Sequence, residues 1–159
     1  MNAPLPTSTQ KVEDCAAKLG LEIHVRAMPQ STRTAEEAAA ACACDVAQIV
    51  KSLVFQGVSS GAPYLLLVSG RNRVDQEGVV HGIGEALSRP DARTVRDWTG
   101  FAIGGIPPFG HDRPMKTFID PDLLVHDIVW AAAGTPHAVF SVDPNALAKA
   151  VEAVTIKMS

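Results

Sequence analysis

The spacing of hydrophobic positions predicts helices and strands along most of this chain. Val12, Ala16 and Leu19 recur at helical intervals and predict a helix over residues 10–19. Residues 21–28 instead alternate between apolar and polar side chains, which is typical of a strand with one buried face. The first nine residues are polar and contain proline, so we expect them to form a flexible lead before the folded part.

Two uncharged runs predict β-hairpins. Residues 52–70 are long enough to span a membrane, but glycine, serine and proline interrupt the middle of the run. Two strands, residues 50–56 and 64–69, fit this pattern better than one membrane helix. Residues 128–142 are uncharged as well and are broken by Gly134 and Pro136, so they predict a second hairpin.

Residues that favour the start of a helix occur at several positions along the rest of the chain. Thr34, followed three residues later by Glu37, predicts a capping box before an alanine-rich helix. An aspartate caps each of three further predicted helical starts, at Asp45, Asp120 and Asp143, and proline follows the last two. Residues 75–87 are weakly helical and residues 94–98 predict one turn. The pattern predicts an α/β protein: one compact domain over residues 10–159, with a mixed, mostly antiparallel sheet flanked by helices.

Composition narrows the class of protein. The chain has 159 residues, 47% of them hydrophobic, and a net charge of −3. These values suit one domain with its own core and argue against a disordered tail or a broad basic face for nucleic acid. The three cysteines, Cys15, Cys42 and Cys44, lack disulfide or zinc spacing, and no signal peptide is evident. We therefore expect a cytoplasmic protein with reduced thiols.

Two features are candidates for chemistry. Lys51 lies in a predicted strand with apolar side chains on both faces, so it either points a fixed cation at an anionic ligand or is a solvated lysine at the strand end. The glycine–proline loop over residues 104–110 can bring backbone N–H groups close to a carbonyl, or it is simply a rigid surface loop. Its members are Gly104, Gly105, Ile106, Pro107, Pro108, Phe109 and Gly110.

No metal or nucleophile motif is present in the sequence. The five histidines are scattered without a helical pair, which disfavours a metal site, and we expect no cofactor. His111 and His137 follow turn residues and lie either near a pocket or on the ordinary surface.

Taken together, these segments resemble the YbaK/EbsC family of free-standing aminoacyl-tRNA deacylases, which are related to the editing domain of bacterial prolyl-tRNA synthetases. The resemblance rests on the capped alanine-rich helix, QIVKSLVF at residues 48–55, RVD at 73–75, TGFAIGGIPPFG at 99–110 and the Ile119–Asp120 strand end. It covers about residues 10–150. Pro107 stands where the family often has Ser or Thr.

The resemblance implies hydrolysis of the ester that joins a wrongly attached small amino acid (alanine, cysteine, serine or threonine) to the 3′ end of a tRNA. It implies that Lys51 contacts the CCA end and that Gly104 and Gly105 position the ester carbonyl. Ser52, Arg73, His137 and the remaining loop residues are the expected substrate contacts. A synthetase is a further expected partner, whereas DNA and membranes are not, and both a monomer and a dimer remain open.

Two other functions remain open: a non-catalytic binder of the acceptor end or of a synthetase, and a small-molecule hydrolase with the same cleft. Local cations follow the second predicted strand and the glycine–proline loop, namely Arg71, Arg73, His111, Arg113 and Lys116. A few such cations suit a protein that binds only the last nucleotides of a tRNA. We therefore expect a small contact area with the RNA, the small footprint, and a binding constant that depends only weakly on salt concentration.

Overall fold

The computed structural model describes residues 7–158, which form five helices, two short 3₁₀ turns and eight strands. The helices are α1 Thr7–Lys18, α2 Ala35–Cys42, α3 Val80–Ile83, α4 Ala92–Thr99 and α5 Pro144–Ala150, and the 3₁₀ turns are Val46–Gln48 and Pro121–Leu123. The strands are β1 His24–Ala27, β2 Val50–Gly57, β3 Pro63–Ser69, β4 Leu87–Ser88, β5 Lys116–Ile119, β6 Val129–Ala132, β7 Ala138–Val142 and β8 Val154–Thr155.

The strands are divided between two sheets. The first is antiparallel, in the order β1-β7-β6. The second has the order β4-β2-β3-β5-β8, in which β2 runs antiparallel to β3 and β4, whereas β3–β5 and β5–β8 are parallel pairs. A parallel bridge between Ile49 and Trp130 connects the sheets. The predicted α/β class with mixed sheets flanked by helices is confirmed, and both predicted hairpins form.

The helical starts expected from the sequence are present. Thr34 Oγ1 accepts a hydrogen bond from the N–H of Glu37 at 3.1 Å and caps α2. Asp143 caps α5 in the same way, with Pro144 at the first helical position. These contacts form between residues at most three apart, which is why local sequence predicts them.

The N-terminal boundary differs from the expected one. Helix α1 begins at Thr7 rather than at residue 10, and Thr9 is fully buried. The Thr9 hydroxyl donates to the carbonyl of Ala133 at 2.7 Å, which attaches the first turn of α1 to the segment between β6 and β7. Residues 7–9 are therefore part of the folded domain, and the rest of the expected lead, residues 1–6, lies outside the described residues.

The second sheet separates two apolar layers. One face, with Val54 and Leu67, packs against Phe140 of the first sheet and against α1. The opposite face, with Phe55 and Phe118, packs beneath α3 and the C-terminal residues. None of the described helices is long and apolar enough to cross a membrane.

The outer edge of β2 is mostly uncovered by other strands. Strand β4 pairs only with Gln56 and Gly57 at the end of β2. Among the described strands, none pairs with residues 50–55 on that side. This open edge is where the candidate site lies.

Candidate active site

A cavity of about 290 Å³ lies at the open edge of β2. The N-terminal part of α2, strand β6, the segment around residue 89 and the start of the glycine–proline loop form its other walls. Its apolar lining consists largely of small and branched side chains, among them Ala38, Val50, Val54, Ala131 and Val139. A cavity of this size and lining suits a small ligand group rather than a large one.

Backbone groups of β2 also face this cavity. The carbonyl of Ile49 accepts from Gly70 at 2.8 Å and the N–H of Gly57 donates to Ala62 at 2.9 Å, so the odd-numbered residues of β2 bond towards β3. In the uncovered middle of β2, Ser52 and Val54 therefore direct their N–H and C=O groups towards the open edge. This edge offers hydrogen-bonding groups beside an apolar lining.

The charged side chains that line the cavity are all cationic. They are Arg33, Lys51 and Arg89, and no aspartate or glutamate is among the described residues of the wall. The guanidinium of Arg89 lies 4.9 Å from the centre of the Phe55 ring. Arg33 and Arg89 are exposed at the mouth, so an anionic ligand would meet favourable charge as it enters.

Lys51 is half-buried in the cavity wall rather than fully solvated. Its ammonium donates a hydrogen bond to the main-chain carbonyl of Asn72. Burial lowers the pKa of Lys51 below its ordinary value, and the nearby carboxylate of Glu36 acts in the opposite direction. The lysine is thus held in one place and is partly desolvated.

Ser52 carries a buried hydroxyl in the cavity wall. Its Oγ atom has no hydrogen-bond partner within the described part of the chain. A buried hydroxyl without a partner is costly, because it has lost its hydrogen bonds to water. A ligand or an ordered water in this wall would satisfy it.

The first residues of the glycine–proline loop reach the cavity. Gly104 and Ile106 line it, and Gly104 has a φ of +92°, a conformation that favours glycine. Gly105 is buried behind them, and its carbonyl accepts a hydrogen bond from Gly134 at 3.0 Å. The loop is therefore anchored to the turn between β6 and β7.

The remaining loop residues do not line the cavity. Phe109 is buried in the core with its ring centre 5.6 Å from that of Phe140. His111 Nε2 donates to the carbonyl of Pro107 at 2.7 Å, and Gly110 lies beside α1. Pro107, Pro108, Phe109 and Gly110 thus lie outside the cavity wall, and the substrate contact expected of them stays a prediction.

Arg73 and His137 are also outside the cavity wall. Both side chains are exposed. Arg73 is near enough to Lys51 to lower its pKa, so it belongs to the same electrostatic neighbourhood. His137 lies in the turn before β7, where its carbonyl accepts from Met28 at 2.7 Å.

Sequence reasoning missed Arg33, Arg89 and Trp130, which contribute to the wall. Arg33 directly precedes the cap of α2, and this position beside Thr34 is the one local signal that could have drawn attention to it. Arg89 and Trp130 come from segments far apart in the chain and carry no common motif. Within residues 7–158, no group of three potential metal-binding side chains lies together.

A comparison with known families identifies this cavity as part of a known domain. The sequence profile described as the aminoacyl-tRNA editing domain matches residues 29–150. That range contains every residue of the cavity wall and covers well over half of the chain. The chain belongs to the aminoacyl-tRNA editing domain family.

Solved structures with similar folds support this membership. One, described as a candidate trans-editing enzyme for prolyl tRNA synthetase, is 43% identical, with a TM-score of 0.91 over 98% of this chain and 99% of that one. A scaffold protein from work on epitope backbone grafting is 39% identical, with a TM-score of 0.89 over 98% of each chain. The uncharacterized protein YwhH of Bacillus subtilis (strain 168) is 26% identical over 119 residues, which is 75% of each chain.

In this editing domain the folded unit extends beyond the matched range. Helix α1 precedes residue 29, yet Thr9 bonds to Ala133 beside the turn that anchors Gly105. The N-terminal helix is therefore part of the support for the cavity.

Proposed function

We propose that this chain is a free-standing aminoacyl-tRNA deacylase that removes a small amino acid from a mischarged tRNA. The observation that carries the proposal is the cavity itself. The cavity is small, has an apolar interior and carries cationic side chains in its wall and at its mouth. It is bordered by the start of the glycine–proline loop, and the chain belongs to the editing-domain family.

The size and lining of the cavity favour small amino acids. At about 290 Å³ it stands at the lower end of the range for ligand pockets, and its walls include Ala38 and Val139. We propose substrates of the alanine, cysteine, serine and threonine class. Because an apolar pocket distinguishes one methylene by only about 1–3 kcal/mol, several of these amino acids are expected to be accepted.

The cations would hold the RNA end. Lys51 lies in the wall and Arg33 and Arg89 at the mouth, so phosphates near the 3′ terminus would be neutralised while the aminoacyl group enters the cavity. A similar solved structure is described as a candidate trans-editing enzyme for prolyl tRNA synthetase, so mischarged proline tRNAs are the first substrates to test, and that synthetase is the first partner.

The proposed reaction needs a positioned water and no covalent enzyme intermediate. Water adds to the ester carbonyl, the bond to the ribose oxygen breaks, and the products are a free amino acid and a tRNA with a free 3′ hydroxyl. The loop backbone at Gly104 and Gly105 would orient the carbonyl, and a ribose hydroxyl of the substrate beside the ester would assist the water. Ser52, with its unpartnered hydroxyl, is the proposed polar contact in the wall.

A panel of tRNAs mischarged with alanine, cysteine, serine or threonine tests this proposal. The wild-type protein should release at least one amino acid faster than buffer, and Lys51→Ala should lower kcat/KM by about 10- to 100-fold, the effect of losing one charged hydrogen bond. Lys149→Ala, at an exposed position of α5 outside the cavity wall, is the matched control and should have wild-type activity. Equal release by wild type and Lys51→Ala would refute the deacylase mechanism.

One observation favours a second candidate, a non-catalytic binder of the acceptor end. The described wall contains no carboxylate or histidine that could serve as a general base. Binding of uncharged tRNA without turnover of any mischarged tRNA would support this candidate instead.

A further inference from the structure

The ammonium of Lys51 is held by a turn that is itself anchored to a buried carboxylate. Its acceptor is the carbonyl of Asn72, which lies just after β3. The N–H of Asn72 bonds to the carbonyl of Ser69 at 2.8 Å, which closes the turn. The position of this carbonyl therefore decides where the ammonium of Lys51 lies.

The side chain of Asn72 attaches this turn to the end of β5. Its Nδ2 atom donates to Asp120 Oδ2 at 2.9 Å and to Asp122 Oδ2 at 2.7 Å. Both hydrogen bonds have a carboxylate acceptor, which makes them stronger than bonds between neutral groups. One amide group thus links the carbonyl that binds Lys51 to two acidic side chains.

Asp120 is a rigid anchor for this link. It is only 1% exposed, and its carboxylate also accepts from the N–H of Ser69 at 3.1 Å and the N–H of Asp122 at 2.9 Å. These bonds hold the carboxylate in a single orientation. The role expected from the sequence, a helix cap, accounts for the bond to Asp122 but not for the bonds to Ser69 and Asn72.

We propose that Asn72 is a positioning residue for Lys51, with Asp120 as its anchor. The inference rests on the proposed deacylase function, because it assigns a role to the lysine at the cavity wall. Asn72 acts through the turn and does not itself line the cavity. A lysine side chain is long, flexible and strongly hydrated, so without a fixed acceptor its ammonium would spread into solvent.

Three charged groups also face the Lys51 ammonium. Glu36 approaches from α2, Arg73 from the segment after the turn, and Asp120 from the end of β5. If the turn at Asn72 loosened, the Lys51 ammonium would move relative to the carboxylates of Glu36 and Asp120, and Arg73 would move with it. The effect of a change at Asn72 should therefore pass through Lys51.

The test is a double-mutant cycle in deacylation of a mischarged tRNA. Asn72→Ala should lower kcat/KM roughly tenfold in the wild-type background and produce no further loss in the Lys51→Ala background. The same loss in both backgrounds would overturn the proposal. Asn145→Ala is the matched control: it removes the same amide from an exposed position on α5 outside the cavity wall, and it should stay within about twofold of the wild type.

A second variant covers the case in which Asn72→Ala does not fold. Asn72→Ser retains a residue suited to turns, but its hydroxyl is too short to reach both carboxylates. It should reproduce the loss seen with alanine. Wild-type activity in a folded Asn72→Ser protein would overturn the proposal.

A titration of the Lys51 side chain by NMR separates this inference from the proposed function. In Asn72→Ala or Asn72→Ser the pKa of Lys51 should rise towards the ordinary lysine value as the ammonium moves into solvent. An unchanged pKa would overturn the positioning role even if the chain is a deacylase. A raised pKa in a protein that cleaves no mischarged tRNA would support the positioning role while refuting the proposed function.

Discussion

Gly105 is the position where one methyl group should most directly disturb the candidate site. A Cβ atom at this residue would lie 2.7 Å from the Cα and 2.8 Å from the backbone N of Thr135. Thr135 follows the residues held by the hydrogen bonds Gly134–Gly105 and Thr9–Ala133, so its backbone has little freedom to retreat. Gly105→Ala must therefore push the loop away from the turn.

The magnitude follows from these distances. Carbon atoms pack best at about 3.5 Å or more, so 2.7 Å leaves the loop roughly 0.8 Å too close. Overpacking of this kind costs about 1–3 kcal/mol in the free energy of unfolding. For a domain of this size we expect a fall in Tm of about 2–4 °C per kcal/mol. Because Gly104 would move with its neighbour, deacylation should fall by up to about 100-fold.

Thermal unfolding followed by circular dichroism and kcat/KM for a mischarged tRNA together test this reasoning. Gly84→Ala is a suitable control, because Gly84 has a φ of +104° and its added Cβ would meet nothing within 4 Å. That variant should lose about 1–2 kcal/mol of stability from the left-handed backbone alone and keep its activity. A Gly105→Ala protein with wild-type Tm and activity would refute the argument.

Two further predictions concern pH and salt. Hydrogen bonds from Ser60 and Tyr64 lower the pKa of the Glu85 carboxyl to about 2. Their contribution to the free energy of unfolding is therefore fully present above the pKa of glutamate in the unfolded chain, near 4.3, and is lost as the pH falls towards 2. Glu85→Gln should lower the urea midpoint at pH 7 but not at pH 2; an equal loss at both would contradict this origin. For tRNA binding, three lining cations predict a slope of about −2 for log K against log salt, and Arg33→Ala should make it shallower by about 0.7. A wild-type slope far steeper than this would show a wider contact with the RNA.

The contrast between net charge and local charge shapes the expected mode of binding. The chain carries −3 overall, but the charged side chains in the described cavity wall are all cationic. A protein with this distribution would be repelled by a long stretch of nucleic acid and would attract a short phosphate segment at one point. The expectation of a small footprint thus rests on where the charges lie.

Local chemistry in the sequence predicted much of the fold. The caps at Thr34 and Asp143 and both hairpins depend on residues that are near neighbours, so each can be identified without knowing the rest of the chain. Lys51 and Gly104 could also be singled out, because a lysine in an apolar strand and a glycine–proline loop are unusual within their own segments.

Only the tertiary structure decided which residues share the cavity. Arg33 and Arg89 come together because the fold places α2 and the segment before α4 around the open edge of β2. No local sequence pattern encodes that arrangement. The same long-range packing directs Phe109 into the core instead of the cavity. It also brings the carbonyl of Asn72 to Lys51, which is 21 residues away in sequence. The sequence by itself thus determined the elements and the family, whereas contacts between distant segments determined the site, because they depend on how all the strands pair at once.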